Sequence, residues 1–121
     1  MNGVFSNFRW YSEEYDWFFI ESEAQFYKLH VSLFAVGDAG DSLNSPLDPR
    51  KTSNGMSFSS PDVDNDLSSG NCAQVQGGGW WYCDCSASTQ LGLSGVGYLW
   101  VTLNPGEMNT MASRMMIKLT N

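Results

Sequence analysis

Basic side chains are scarce. Six lysines and arginines stand against thirteen aspartates and glutamates, a formal net charge of −7. Such a surface repels a phosphate backbone and an anionic bilayer, which argues against nucleic acid and acidic membranes as partners. There is a single histidine, His30. With no second histidine, and no serine or cysteine set beside it by a motif, a nucleophilic triad has no members. No run of eighteen apolar residues occurs, so no segment is expected to span a membrane. A charged-then-apolar leader is also missing from residues 1–17, where Glu13, Glu14 and Asp16 interrupt the pattern. Internal repeats, low-complexity tracts and long helical periods are absent, and the cysteine count is odd, at three.

Aromatic residues are plentiful: five Trp, five Tyr and seven Phe in 121 residues. In a chain this poor in charge they favour one packed domain with aromatic contact surfaces over disorder. The densest information lies in residues 58–85. Asp62, Asp64 and Asp66 alternate on a polar loop and lead through Ser68 and Gly70 to Cys72 and the block Trp80-Trp81-Tyr82. Alternate short carboxylates with free carbonyls are the oxygen ligands that Ca2+ takes, typically six to eight of them. Gly, Ser, Asn and Pro around them exclude a regular helix or central strand. An EF-hand does not fit, because Leu67 stands where the turn needs Gly and Ala73 where a bidentate Glu should close the site. The plain alternative is a solvated acidic turn. Asp38 and Asp41 lack any sign of an apolar pocket and are assigned turn and hydrogen-bonding roles.

A Cys83–Cys85 bridge would close a very tight ring, so Cys72 is expected to pair with one of the two. A zinc site from the three cysteines and His30 matches no standard spacing. A disulfide implies an oxidising compartment, which the missing leader contradicts. Strands are expected over residues 4–11 (an edge), 16–20 (buried), 27–33, 98–103 and 115–119. In the third, Tyr27, Leu29, Val31 and Leu33 face the core and His30 faces outward. Asn54-Gly55 marks a tight hairpin turn. Met108, Met111, Met115 and Met116 read as adaptable core filling.

Asp64-Asn65-Asp66, Gly70-Asn71-Cys72-Ala73, Gly78-Gly79-Trp80-Trp81-Tyr82 and Cys85 together resemble the fibrinogen C-terminal domain family. Upstream, Gly37-Asp38-Ala39-Gly40-Asp41-Ser42-Leu43 and Asn54-Gly55-Met56-Ser57-Phe58-Ser59 resemble it in the same order. The subgroup expected is that of ficolins and tachylectins. The resemblance implies an α+β fold: a mixed antiparallel sheet with a loop-rich calcium-binding lobe at about residues 44–110 of one domain, 1–121. It implies a Cys72–Cys85 bridge, with Cys83 left as an extra thiol. It also implies Ca2+ held by the carboxylates of Asp64 and Asp66 and the carbonyls of Ser68 and Gly70, with Asp62 at no ligand position.

In the lectin-like members an acetyl-binding pocket lies beside the second bridge cysteine, after an unusual cis peptide, here Asp84-Cys85. Its positions fall on Gln76, Trp81, Tyr82, Asp84 and Ser86. Ser86 stands where those members have histidine, and Gln76 is not aromatic. The family domain is about twice as long, so the chain is expected to be a fragment, or to pair with itself or another chain over uncovered sheet edges. The function expected is that of a secreted, calcium-stabilised, non-enzymatic lectin for acetylated glycans in innate defence. The alternatives are a module binding cell-surface proteins in the manner of angiopoietins or fibrinogen, through an exposed Trp81-Tyr82 region, and a truncated, non-binding remnant.

Overall fold

The computed structural model describes residues 10–86, 88, 89, 99, 100 and 113–119. The architecture is mixed α+β, as expected, with three two-stranded antiparallel sheets among the described residues. Strand β1 (Glu13–Tyr15) is followed by β2 (Phe18–Ile20), β3 (Leu29–Val31) and β4 (Ala35–Gly37). Because β1 pairs with β4 and β2 with β3, these four form one bent antiparallel ribbon. The register explains the bend. Between Tyr15↔Ala35 and Phe18↔Val31, two residues on one strand (Asp16, Trp17) oppose three on the other (Ser32, Leu33, Phe34). One extra residue is a β-bulge, which kinks the strand and exchanges its faces.

Ser32 secures that bulge: its hydroxyl accepts from the Phe34 N–H at 3.0 Å and donates to the Phe34 carbonyl at 2.9 Å. Ser32 is therefore buried while Leu33 is 82% exposed, which corrects the expectation that Leu33 faces the core. Tyr27 is exposed as well, because Phe26 and Tyr27 both have left-handed φ and the strand starts only at Leu29. Leu29 and Val31 point inward as expected. Residues 18–20 form a strand, but every one of them is exposed, not buried.

The outer edge of β3 is closed by the loop that follows. Leu29 donates to the Met56 carbonyl at 3.0 Å and accepts from the Gly55 N–H at 2.7 Å. The Asn54 side chain takes the Val31 N–H and carbonyl, each at 3.0 Å. Asn54-Gly55 is thus a turn, with Gly55 at φ +85°, but it docks on a strand edge and joins no hairpin.

The core joins this ribbon to the loop-rich lobe. Leu29 and Val31 pack with Cys72, Ala73, Trp80, Trp81 and Tyr82. The Trp80 and Trp81 rings meet edge to face at 5.0 Å, and Phe58 meets Trp81 at 5.3 Å. Much of the interior is polar, with Ser42, Ser53, Ser59 and Ser88 fully buried. Buried hydroxyls require partners, and the Trp80 indole N–H supplies one, shared between Ser53 Oγ at 3.1 Å and Ser88 Oγ at 3.2 Å.

One turn of helix, α1 (Cys72–Gln76), interrupts a stretch whose composition excluded a regular helix. The caps account for it: Asn71 Oδ1 accepts from the Gln74 N–H at 3.1 Å, and Gly77 closes the end at φ +80°. Strands β5 (Ser88–Thr89) and β6 (Leu99–Trp100) pair, and the rest of the strand expected over 98–103 lies outside the described residues. Residues 4–9 lie outside them as well, and Trp10 and Tyr11 are in no strand.

The final strand expected over 115–119 is not formed. Nothing among the described residues pairs with it, and Met115, Met116, Ile117 and Leu119 are exposed. Core filling by Met115 and Met116 is corrected accordingly; Met108 and Met111 lie outside the described residues.

Candidate functional site: the acidic loop and the cysteine turn

Residues 58–86 bring the acidic loop against the cysteine turn. Its entrance is held by Asn65, whose N–H donates to Ser59 Oγ at 2.9 Å and whose Nδ2 donates to the Phe58 carbonyl at 2.8 Å. Each following polar side chain then accepts from a backbone N–H two residues on. Asp64 Oδ1 accepts from Asp66 at 3.2 Å, Asp66 Oδ1 from Ser68 at 3.0 Å, and Ser68 Oγ from Gly70 at 3.2 Å. Such local bonds replace helix or sheet ladders and fix the loop one residue at a time. Asp66 reaches further, its Oδ2 accepting from the Cys72 N–H at 3.0 Å. Leu67 donates to the Cys83 carbonyl at 2.9 Å, and Cys72 is bonded to Cys85 (S–S 2.03 Å). Loop, helix and cysteine turn are therefore one unit.

The carboxylates of that unit crowd each other. Partial burial pushes the Asp66 carboxyl above its ordinary range; the Cys72 and Ser68 amides oppose this, and the neighbouring Asp64 carboxylate adds to it. Two carboxylates close enough to repel each other form a hard-oxygen environment, and each oxygen that accepts one amide keeps a second lone pair. Asp62 is turned elsewhere: the Ser60 hydroxyl donates to it at 2.7 Å and lowers its pKa. Among the described residues, no group of three or more His, Cys, Asp or Glu is placed to hold a metal ion.

The expected ligand-pocket positions divide. Trp81 is buried, its indole N–H donating to the Tyr27 carbonyl at 2.9 Å. Tyr82 is fully buried, its hydroxyl donating to the Gly78 carbonyl at 2.7 Å and its pKa pushed up to about 12 by burial, then by Asp66. The exposed Trp81-Tyr82 contact region is thus corrected: both rings are core, because the ribbon and Phe58 cover them. Ser86 is also buried. Its hydroxyl lies 3.2 Å from Ser53 Oγ, donates to the Ser88 carbonyl at 2.6 Å and accepts from the Ser88 N–H at 3.1 Å.

Asp84 is exposed and its N–H donates to the Arg50 carbonyl at 2.9 Å; the Asp84-Cys85 peptide is cis. Gln76 is half-buried at the end of α1. Cys83 is a buried free thiol whose pKa is raised, first by burial. Asp38 and Asp41 do take hydrogen-bonding roles, and Asp41 also serves its own turn by accepting from the Asn44 N–H at 3.0 Å. Asp38 accepts from the Ser12 N–H at 2.9 Å, and Asp41 takes the Tyr15 hydroxyl at 2.6 Å and the Asn44 side-chain amide at 2.8 Å.

Exposed aromatics gather elsewhere. Trp17 and Phe19 stack with centroids 6.2 Å apart, Phe19 stacks on His30 at 4.4 Å, and His30 Nε2 meets the Glu21 carboxylate. The expectation of a buried strand over residues 16–20 hides this face, whose residues 18–20 are exposed. The alternation Trp17, Phe19, Glu21 was the available signal.

These residues define a disulfide-pinned, loop-rich lobe with a polar interior. The chain belongs to the fibrinogen C-terminal domain family: the model described as "Fibrinogen beta and gamma chains, C-terminal globular domain" matches residues 6–118. It is 42% identical to the human fibrinogen gamma chain over 99 residues, 76% of this chain and 21% of that one. It is 35% identical to the Drosophila melanogaster protein scabrous over 106 residues, 87% of this chain and 12% of that one. Among solved structures, the fibrinogen-like globe domain of human ANGPTL6 matches with a TM-score of 0.67 at 34% identity, covering 79% of this chain and 44% of that one. The chain thus spans about a fifth or less of the length of these curated relatives, and under half of the solved domain.

These similarities correct part of the sequence-based expectation. They do not single out ficolins or tachylectins, and they run to fibrinogen gamma and angiopoietin-like proteins. The terms lectin, carbohydrate binding and innate immunity fall with that. Calcium binding moves from a stated property to a proposal, since no metal-holding cluster of three such groups occurs among the described residues.

Proposed function

We propose that this chain is an extracellular protein-recognition module whose partner is a cell-surface protein. The observation that carries the reading is the fate of the aromatic residues beside the cysteine turn. Trp81 and Tyr82 lie in the core, and the buried Ser86 is engaged by Ser53 and Ser88, so among the described residues no aromatic wall remains there for a sugar acetyl group. Exposed aromatic area, which protein interfaces favour, lies instead at Trp17, Phe18, Phe19, Phe26, Tyr27 and Phe34. Similarity to angiopoietin-like domains supports the same reading, as does a disulfide, which suits an oxidising compartment.

The cofactor part of the proposal is Ca2+ held by the Asp64 and Asp66 carboxylates with the Ser68 and Gly70 carbonyls. Its chemistry is oxygen coordination that relieves carboxylate repulsion, and its binding free energy adds to the stability of the loop. A resin bearing N-acetylglucosamine and a panel of immobilised receptor ectodomains test the function. Passage through the resin with saturable binding to an ectodomain is expected; retention on the resin alone, eluted by free sugar, would overturn the reading.

A further inference from the structure

Asn54 is followed by Gly55, and that order carries a chemistry that needs no enzyme. The peptide nitrogen after an asparagine attacks the side-chain carbonyl carbon when nothing crowds its approach, and glycine has no Cβ to do so. The Gly55 nitrogen gives up its proton and forms a bond to Asn54 Cγ. The Cγ–Nδ2 bond breaks, and the amide takes up the proton and leaves as ammonia. Water then opens the five-membered imide at one carbonyl or the other, giving aspartate or isoaspartate.

Every atom this reaction must move is held in the folded chain. The Gly55 N–H donates to the Leu29 carbonyl at 2.7 Å, and the Asn54 N–H to the Leu43 carbonyl at 3.1 Å. Asn54 Oδ1 accepts from the Val31 N–H at 3.0 Å, while Nδ2 donates to the Val31 carbonyl at 3.0 Å and to Asn44 Oδ1 at 2.7 Å. Nitrogen and carbon meet only once residues 54–56 lift from the edge of β3. Such an opening of a half-buried turn is a local event with its own free energy.

The product does not fit the place it came from. A carboxylate at position 54 has no proton to donate, so the Val31 carbonyl and Asn44 Oδ1 would each face another acceptor. Asn44 has no spare donor to turn inward. Its Nδ2 already donates to the Ser32 carbonyl at 3.0 Å and to Asp41 Oδ2 at 2.8 Å, and a reversed amide would set its oxygen against both. The Asp41 carboxylate adds like charge to the same network. Isoaspartate fits less well still, since it lengthens the main chain by one carbon.

We propose that Asn54 is a deamidation site gated by the fold: its amide survives while residues 54–56 cover the outer edge of β3, and a chain that loses it cannot re-form that cover. Conversion leaves main-chain groups of Leu29 and Val31 bare, which marks the aged chain for pairing with other strands or for proteolysis. The gate is built from residues 29–56 alone and acts whatever the module binds.

The test ages the whole chain at mildly alkaline pH in buffer and in urea, and follows conversion at residue 54 by peptide mapping with mass spectrometry. The chain's other Asn-Gly pair, Asn2-Gly3, lies outside the described residues and is resolved as a separate peptide. Conversion at Asn54 is expected to be slower in buffer than in urea by about tenfold or more. Asn44→Ala removes one anchor of the amide and should speed the reaction in buffer by about two- to tenfold, with no change in urea. Asn54→Asp, the product made directly, should unfold at a lower urea concentration than the parent.

Equal rates in buffer and urea, or no conversion in urea, would overturn the proposal. So would an Asn44→Ala variant that reacts in buffer no faster than the parent, or an Asn54→Asp variant as stable as the parent. Should either variant fail to fold, the unaltered chain carries the test: the buffer-to-urea ratio reads the gate, and limited proteolysis of an aged sample should digest converted chains before unconverted ones. Digestion of both at one rate would refute the loss of cover.

Discussion

The Asn54 side chain accepts from the Val31 N–H and donates to both the Val31 carbonyl and Asn44 Oδ1, the last at 2.7 Å. Asn54→Ala leaves the Val31 groups without partners, and a loss of about 2–3 kcal/mol in urea unfolding is expected. Asp66 is perturbed in the opposite sense from a salt-bridged carboxylate. Because its folded pKa is raised, its contribution to stability is complete below the ordinary carboxylate pKa and is lost as pH climbs through the raised value.

Asp64→Asn removes one source of that shift. Without divalent ions the variant should lose less stability than the parent as pH rises through that range, in melts taken at a series of pH values. Added Ca2+ should raise the melting temperature of the parent and leave Asp64→Ala unmoved; an equal rise in both would remove Asp64 from the proposed ligands. Cys83 is buried with a raised pKa, so a thiol reagent at mildly alkaline pH should label it slowly in the native chain and fully after unfolding. These side-chain roles were unevenly legible. The bonds of Asp41 to the Asn44 N–H and side-chain amide follow from short local geometry that acidic turn residues announce, whereas Asp38 to Ser12 and Asp41 to Tyr15 each span 26 residues. The reach of Asn54 across 23 residues to Val31 has no local mark.

Among the elements, the bulge at Ser32, Leu33 and Phe34 makes the sharpest contrast. Leu33 is 82% exposed and Val31 is 4% exposed. Leu33→Ser should therefore be nearly neutral, while Val31→Ala should destabilise by about 2 kcal/mol through lost core packing, both measured by chemical denaturation. The strict alternation over residues 27–33 identified β3 and placed Leu29 and Val31 correctly. It misplaced Tyr27 and Leu33, because left-handed φ values at one end and an extra residue at the other both break the period without altering composition. Helix α1 escaped notice for a related reason. It is a single turn whose caps, Asn71 and Gly77, are also ordinary loop residues. Conversely, residues 115–119 have strand composition and no strand partner among the described residues.

In the whole molecule, the Cys72–Cys85 bond joins the helix to the cysteine turn across a separation of 13 residues. Closing a loop of that size typically stabilises by about 3 kcal/mol, so Cys85→Ser should lower unfolding stability by that order and release the acidic loop first. The α+β class and the family were legible because ordered motifs run from Gly37 to Cys85. The ligand class was not. Trp81 and Tyr82 look the same in sequence whether they line a pocket or fill a core, and only packing separates the two. The most direct measurement of the central claim is saturation binding of the labelled chain to intact cells, before and after surface trypsin treatment, with N-acetylglucosamine as competitor. The account predicts saturable binding that trypsin abolishes and the sugar leaves unchanged; binding that survives trypsin and is displaced by the sugar would contradict it.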